Sequence, residues 1–164
     1  MDTLGAFDTL AQVALGIAGF SGVVVAVSDR AAAYHEADSL RVQSLLIVSV
    51  GALVLSLLPS GLALAKLPEA TIWRAGSAAF LVLPAVWFAA IRFRLLRAGR
   101  TVLFPMPILG VVALLSAANL AAQVLNVVGV FSERAPAVYY FGIVWLLVFA
   151  AMVFANVVFR RPGQ

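Results

Sequence analysis

Apolar residues along this chain come in long runs broken by short polar joints, rather than alternating with charge at each helical turn. The helices of a water-soluble core would alternate. A helix crosses a bilayer with about 20 apolar residues, each adding about 1.5 Å of rise. On that scale the runs predict five spans, at about residues 7–27, 42–65, 71–93, 103–131 and 137–159. In hydrocarbon every backbone polar group must find a partner inside the protein, a condition that a helix meets by itself. The expectation is an all-α integral membrane helical bundle, one domain over residues 1–164, with sequence neighbours packed antiparallel.

What interrupts each run adds detail. In the first, Ala14, Ala18, Gly22 and Ala26 recur every four residues, with Gly16 and Gly19 beside them. Such rows of small residues let helix backbones approach closely in lipid, so the first helix is expected to pack centrally through this row. Residues 28–40 form the one clearly polar joint, and Asp38 or Ser39 is placed to cap the second helix. Pro59 predicts a bend near the end of the second helix and Pro84 a kink in the third. Pro105 and Pro107 open the fourth, where first-turn amides lack partners anyway. That fourth run is free of charge from Thr101 to Ser132, yet it carries Ser116, Asn119, Gln123 and Asn126. At about 100° per residue these four fall within one narrow arc, which should face protein or water rather than hydrocarbon.

Composition strengthens the membrane reading. The chain is 64% hydrophobic and 11% charged over 164 residues, with a mean hydropathy of +1.09. A soluble domain of that size could not hide so much apolar surface. There is no cysteine, which excludes disulfides, thiol catalysis and Cys-ligated metals. The first run is expected to be a retained helix rather than a secretory signal, because Asp2 and Asp8 stand where such a signal is basic.

The net charge of +4 reflects topology, not nucleic-acid binding. Five spans place Arg30, Arg41, Arg92, Arg94, Arg97, Arg100, Arg160 and Arg161 on one side, and Lys66, Arg74 and Arg134 on the other. The positive-inside rule puts the richer side in the cytoplasm, with the N-terminus out and the C-terminus in. Were the first run not to span, the N-terminus would lie inside as well. The run Arg92, Arg94, Arg97 and Arg100 follows a span directly, and contact with anionic headgroups, worth about 1 kcal/mol per basic residue, accounts for it.

Depth suggests where polar groups could meet. Asp8 and Gln12 lie four apart near the outer start of the first helix, and Arg74 starts the third on that side. Gln123 and Asn126 fall in the outer half of the fourth. Asp8, Gln12, Arg74, Ser116, Asn119, Gln123 and Asn126 are therefore candidates for an intramembrane polar cluster, read either as interhelical bonding or as an outward vestibule for a small polar solute or ion. Bonding between helices is the plainer of the two readings, and Asn156 is expected to serve packing alone.

Other motifs point to little chemistry. Gly19-Phe20-Ser21-Gly22 matches the pattern around the nucleophile of rhomboid intramembrane proteases. Such a serine needs a base, and the single histidine, His35, lies in the polar joint. His35 and Glu36, with Asp29 and Asp38, lack the second histidine and the i, i+4 spacing of a metal site. No catalytic residue, metal or cofactor is expected, nor enzyme activity.

Phe20-Ser21-Gly22, then Asp29-Arg30, then Asp38 through Arg41 ahead of a long apolar run, resemble a loose group of small bacterial polytopic inner-membrane proteins with no assigned function. The resemblance covers mainly the first two helices and part of the third; it implies a bundle in the bacterial inner membrane and transfers no site residues. The function expected is that of a structural or accessory membrane protein, a subunit of a larger assembly; the alternative is a small oligomeric channel or carrier with a polar path along the fourth helix. The expected partners are the lipid bilayer and either further copies of the chain or another membrane protein.

Overall fold

A computed structural model describes residues 3–28, 36–97 and 106–158, with side chains described for 4–23, 43–83, 85 and 110–155. Among these residues every element is an α-helix: α1 Thr3–Ser28, α2 Glu36–Leu64, α3 Glu69–Arg97, α4 Met106–Val128 and α5 Ala135–Val158. Four of them, α1, α2, α4 and α5, contain stretches long and apolar enough to cross a membrane. α3 is 29 residues long and carries no charge between Ala75 and Ile91.

Helix ends differ from the apolar runs for local reasons. α2 already begins at Glu36, so Asp38 and Ser39 lie within it and do not cap it. Helical hydrogen bonding does not stop where hydrophobicity does, and polar residues continue a helix beyond the hydrocarbon. α4 ends at Val128, short of the expected 131, because Gly129 adopts a left-handed φ of 91°. Its N–H reaches Asn126 O at 3.1 Å, and that of Val130 reaches Leu125 O at 3.0 Å, which occupies two carbonyls of the last turn. Lys66, at φ 58°, closes α2 in the same way, with bonds from Lys66 N to Ala63 O and from Leu67 N to Leu62 O.

The short joints between α2 and α3 and between α4 and α5 reverse the chain, so the starts of α1, α3 and α5 share one end of the bundle. An aromatic cluster fills that end. Phe7 of α1 stacks on Trp73 of α3 at 5.6 Å and meets Tyr139 and Tyr140 of α5 at 5.7 and 5.6 Å. Phe80 meets Tyr139 edge-on. Around these rings lie Leu10, Ala14, Ala52, Leu55, Ile72 and Ile143, all buried.

α5, not α1, is the central helix, since it packs against all four others. α1 lies mainly on α2. The reason is visible in its buried positions beside Ala11, namely Phe7, Leu10, Ala14 and Ser21, with Ile17 partly covered between them. These recur at alternating steps of three and four, the 3.5-residue seam of helices that cross at a shallow angle. The small row recurs every four residues and so turns about 40° further at each step. Ala14 therefore lies in the seam, Ala18 at its margin and Gly22 outside it, exposed, with open space where a Cβ would stand. The side chain of Ala26 lies outside the described ones.

α2 follows the same rule, with Leu45, Val48, Ala52, Leu55 and Pro59 buried at alternating steps of three and four. Pro59 is inside α2 and has no N–H to give to Leu55 O, its natural partner four residues back. The Tyr139 hydroxyl fills the vacancy, donating to Leu55 O at 2.7 Å. A bare carbonyl in a nonpolar interior costs several kcal/mol, so this bond ties α5 to α2 at one register.

Candidate functional site

The polar stripe of α4 is its inner seam. Val112, Ser116, Asn119, Gln123 and Asn126 recur at alternating steps of three and four, with Gln123 and Asn126 fully buried and Ser116 and Asn119 partly so. Apart from Ala122 and Val127, which are partly covered beside it, the rest of α4 from Gly110 onward is exposed, so this seam is what holds the helix to α3 and α5.

Asn126 donates from Nδ2 to Ser77 Oγ of α3 at 2.8 Å and to Ala135 O of α5 at 3.2 Å. Gln123 donates from Nε2 to Val138 O at 3.0 Å and to Asn119 Oδ1 at 3.5 Å. A backbone carbonyl can only accept, so both amides must turn their NH2 ends to α5. Their oxygens, Gln123 Oε1 and Asn126 Oδ1, are then buried with no donor among the described residues. Gly142 makes the approach of α4 to α5 possible, because a Cβ there would collide with Gln123 Nε2 and stand 3.2 Å from both Asn119 Oδ1 and Phe80. Lower in the seam, Trp145 Nε1 of α5 donates to Ser116 Oγ at 3.1 Å.

α2 and α4 do not approach one another among the described residues. Between them, over the middle of α3 and α5, lies a cavity of about 460 Å³. Ile47, Val48, Val54, Leu55, Phe80, Leu83, Leu120, Leu146 and Phe149 make its wall largely apolar, and Ser116, Asn119 and the indole of Trp145 are its polar margin.

The seven cluster candidates are thus only partly brought together. Ser116, Asn119, Gln123 and Asn126 share the α4 seam with Ser77, Val138 and Trp145. Asp8 and Gln12 lie at the matching end of the bundle but are exposed on α1, and no hydrogen bond or ion pair joins them to the α4 amides among the described residues. Their neighbours Phe7 and Ala11 take the inward positions instead. Arg74 is also exposed, its guanidinium lying over Gly129, where a Cβ would come within 2.6 Å of Nη2.

The remaining candidates divide the same way. Ser21, inside the protease-like motif, is buried and donates to Ile17 O of its own helix at 2.6 Å. Arg92, Arg94 and Arg97 continue α3 with side chains outside the described ones, as is that of Asn156, and Arg100 and His35 lie outside the described residues altogether. The contributions of Ser77, Tyr139, Gly142 and Trp145 escape a reading of the sequence. Pro59 offered the one usable signal, since a proline inside a buried helix requires a donor for the carbonyl four residues earlier.

No family model matches this chain, and neither a curated protein nor a solved structure does.

Proposed function

We propose that the chain is a structural or accessory protein of the bacterial inner membrane, a small multi-pass subunit that works by packing within a larger membrane assembly. One observation carries the reading. The two α4 amides that would line a polar path, Gln123 and Asn126, are wholly buried and spend their N–H groups on α5 carbonyls and on Ser77. Bonds of this kind hold helices together in lipid and contribute about 0.6 to 2 kcal/mol each. The thin, uncovered face of α1 at Gly16, Gly19 and Gly22 suits close approach by another membrane helix. In this reading α3 is a fifth span through its uncharged segment, the N-terminus is outside and the C-terminus cytoplasmic, as the distribution of arginine favours.

A second reading, a small oligomeric channel or carrier with a polar path along α4, draws on the two amide oxygens that lack donors. Ion and small-solute flux into liposomes separates the two. The protein is compared with a variant in which Asn119, Gln123 and Asn126 are all leucine. The accessory reading expects no flux from either protein and a lower unfolding temperature for the variant. Flux that vanishes in a folded variant would replace it with the channel reading. Reporter fusions at both termini test the orientation, and activity of a cytoplasmic reporter at the N-terminus would overturn it.

A further inference from the structure

The cavity between α2 and α4 has an unusual chemical bias, which stands apart from the accessory reading. Its polar groups are Ser116, Asn119 and Trp145, and the two side-chain oxygens already each accept one bond from within the protein. Ser116 Oγ accepts from Trp145 Nε1, and Asn119 Oδ1 accepts from Gln123 Nε2. The donors are left over. Buried Ser21, Ser49 and Ser56 each return their hydroxyl to the carbonyl four residues back, but Ser116 makes no such bond. The Asn119 NH2 group finds no acceptor among the described residues either. Trp145 spends its only N–H on Ser116. The cavity thus combines an apolar wall with two donors that no described residue accepts, beside two oxygens that each already accept one bond.

Depth narrows the occupant. Asn119 lies two residues, about 3 Å of helical rise, from the midpoint of α4. In a hydrocarbon core about 30 Å thick this is close to the middle of the bilayer. The ester carbonyls of phospholipids lie at the headgroup boundary, and acyl chains bring no acceptor to the midplane. An acyl chain would fill the space and leave both donors bare, at the usual cost of an unpaired polar group in a nonpolar medium. A volume of about 460 Å³ lies within the range of small-molecule sites, which pair an apolar wall with a few placed polar groups.

We propose that this cavity binds a membrane-soluble apolar molecule carrying a carbonyl-type acceptor, which receives hydrogen bonds from Asn119 Nδ2 and the Ser116 hydroxyl while Leu55, Phe80 and Trp145 enclose its apolar body. Trp145 is a positioning residue, since its N–H fixes which way Ser116 presents its oxygen. Gly51 lines the cavity with open space where a Cβ would stand, so a bulky side chain there fills the site without touching its polar groups.

The test uses the full chain in phosphatidylcholine nanodiscs, irradiated with benzophenone, an apolar ketone that attaches covalently to nearby C–H bonds. Labelled peptides are mapped by mass spectrometry. Labelling is expected to saturate and to concentrate on the cavity faces of α2, α4 and α5. Dicyclohexyl ketone should compete at least tenfold better than dicyclohexylmethane, which matches its shape but lacks the oxygen. Asn119→Leu should erase that preference, and Gly51→Phe, which leaves every bond of the α4 seam in place, should abolish the labelling with an unchanged unfolding temperature. Labels absent from the cavity or scattered over lipid-facing residues would overturn the proposal, as would equal competition by the hydrocarbon. Gly51→Phe labelling as the parent does would overturn it too. The parent's competition result decides by itself should a variant fail to fold.

Discussion

α1 and α4 both pack on α5, and opposite chemistry holds them there. The α1 seam is Phe7, Leu10, Ala14 and Ser21, almost wholly apolar, and the one hydroxyl in it bonds back to its own helix. The α4 seam begins with Val112 and continues as Ser116, Asn119, Gln123 and Asn126, every one bonded to another side chain or to a neighbouring helix. Both seams keep the same 3.5-residue spacing, so the difference is not one of geometry. Lipid tails are as apolar as leucine, and burying apolar surface between helices gains little there unless the fit is close. α1 obtains that fit from its long face on α2 and from the rings around Phe7. α4, exposed over most of its surface, obtains its position from directed bonds.

The contrast can be broken at four places, each read as thermal unfolding in detergent. Phe7→Ala has the largest expected effect, a loss of about 3 to 5 kcal/mol, because it removes one of the largest fully buried side chains and its three ring contacts. A loss below about 1 kcal/mol would mean that α1 is not held by fit. Tyr139→Phe follows, at about 1 to 3 kcal/mol, because the ring remains while Leu55 O loses its donor. In a Pro59→Ala background, where the helix supplies its own N–H, the same change should cost much less; an equal cost in both backgrounds would sever the proposed link. Asn126→Leu should cost about 1 kcal/mol, the modest value arising because the unpaired Oδ1 leaves together with the bonded NH2. Asn126→Asp, which keeps the shape but has at most one donor for the two acceptors Ser77 Oγ and Ala135 O, should be the more damaging of the two, and the reverse order would deny the amide its bonding role. Gly22→Leu is expected to shift stability by less than about 0.5 kcal/mol, as a change outside the seam does. A large loss would restore the four-residue row as the packing face of α1.

The uneven legibility of these features has physical causes. Apolar runs report spans directly, since membrane thickness sets their length, and the five runs became five helices. The α4 stripe was also legible, because polar residues on a lipid-soluble helix are few and their spacing alone gives one face. Depth could be matched between Asp8, Arg74 and Asn126, but rotation about the helix axis could not. Asp8 points outward because Phe7 points inward, and only tertiary packing decides between neighbours about 100° apart. The small row misled because a four-residue repeat looks like a face over two turns and becomes a spiral over four. Gly129 was a readable stop signal for α4, since glycine just past a helix is the usual left-handed terminator. The bond from Tyr139 to Leu55 joins residues 84 apart, and no local pattern encodes such a pairing.

The proline in α2 also bears on how the chain is made. Membrane helices enter the bilayer in the order of synthesis, so α2 is present before α5 emerges. Until then the Leu55 carbonyl has no partner from its own helix, and hydrocarbon offers none. A nascent chain at that stage carries a local defect that only the last of the five helices repairs. A product cut short before α5 would therefore keep a bare carbonyl in its second helix, because the hydroxyl that pairs it belongs to α5.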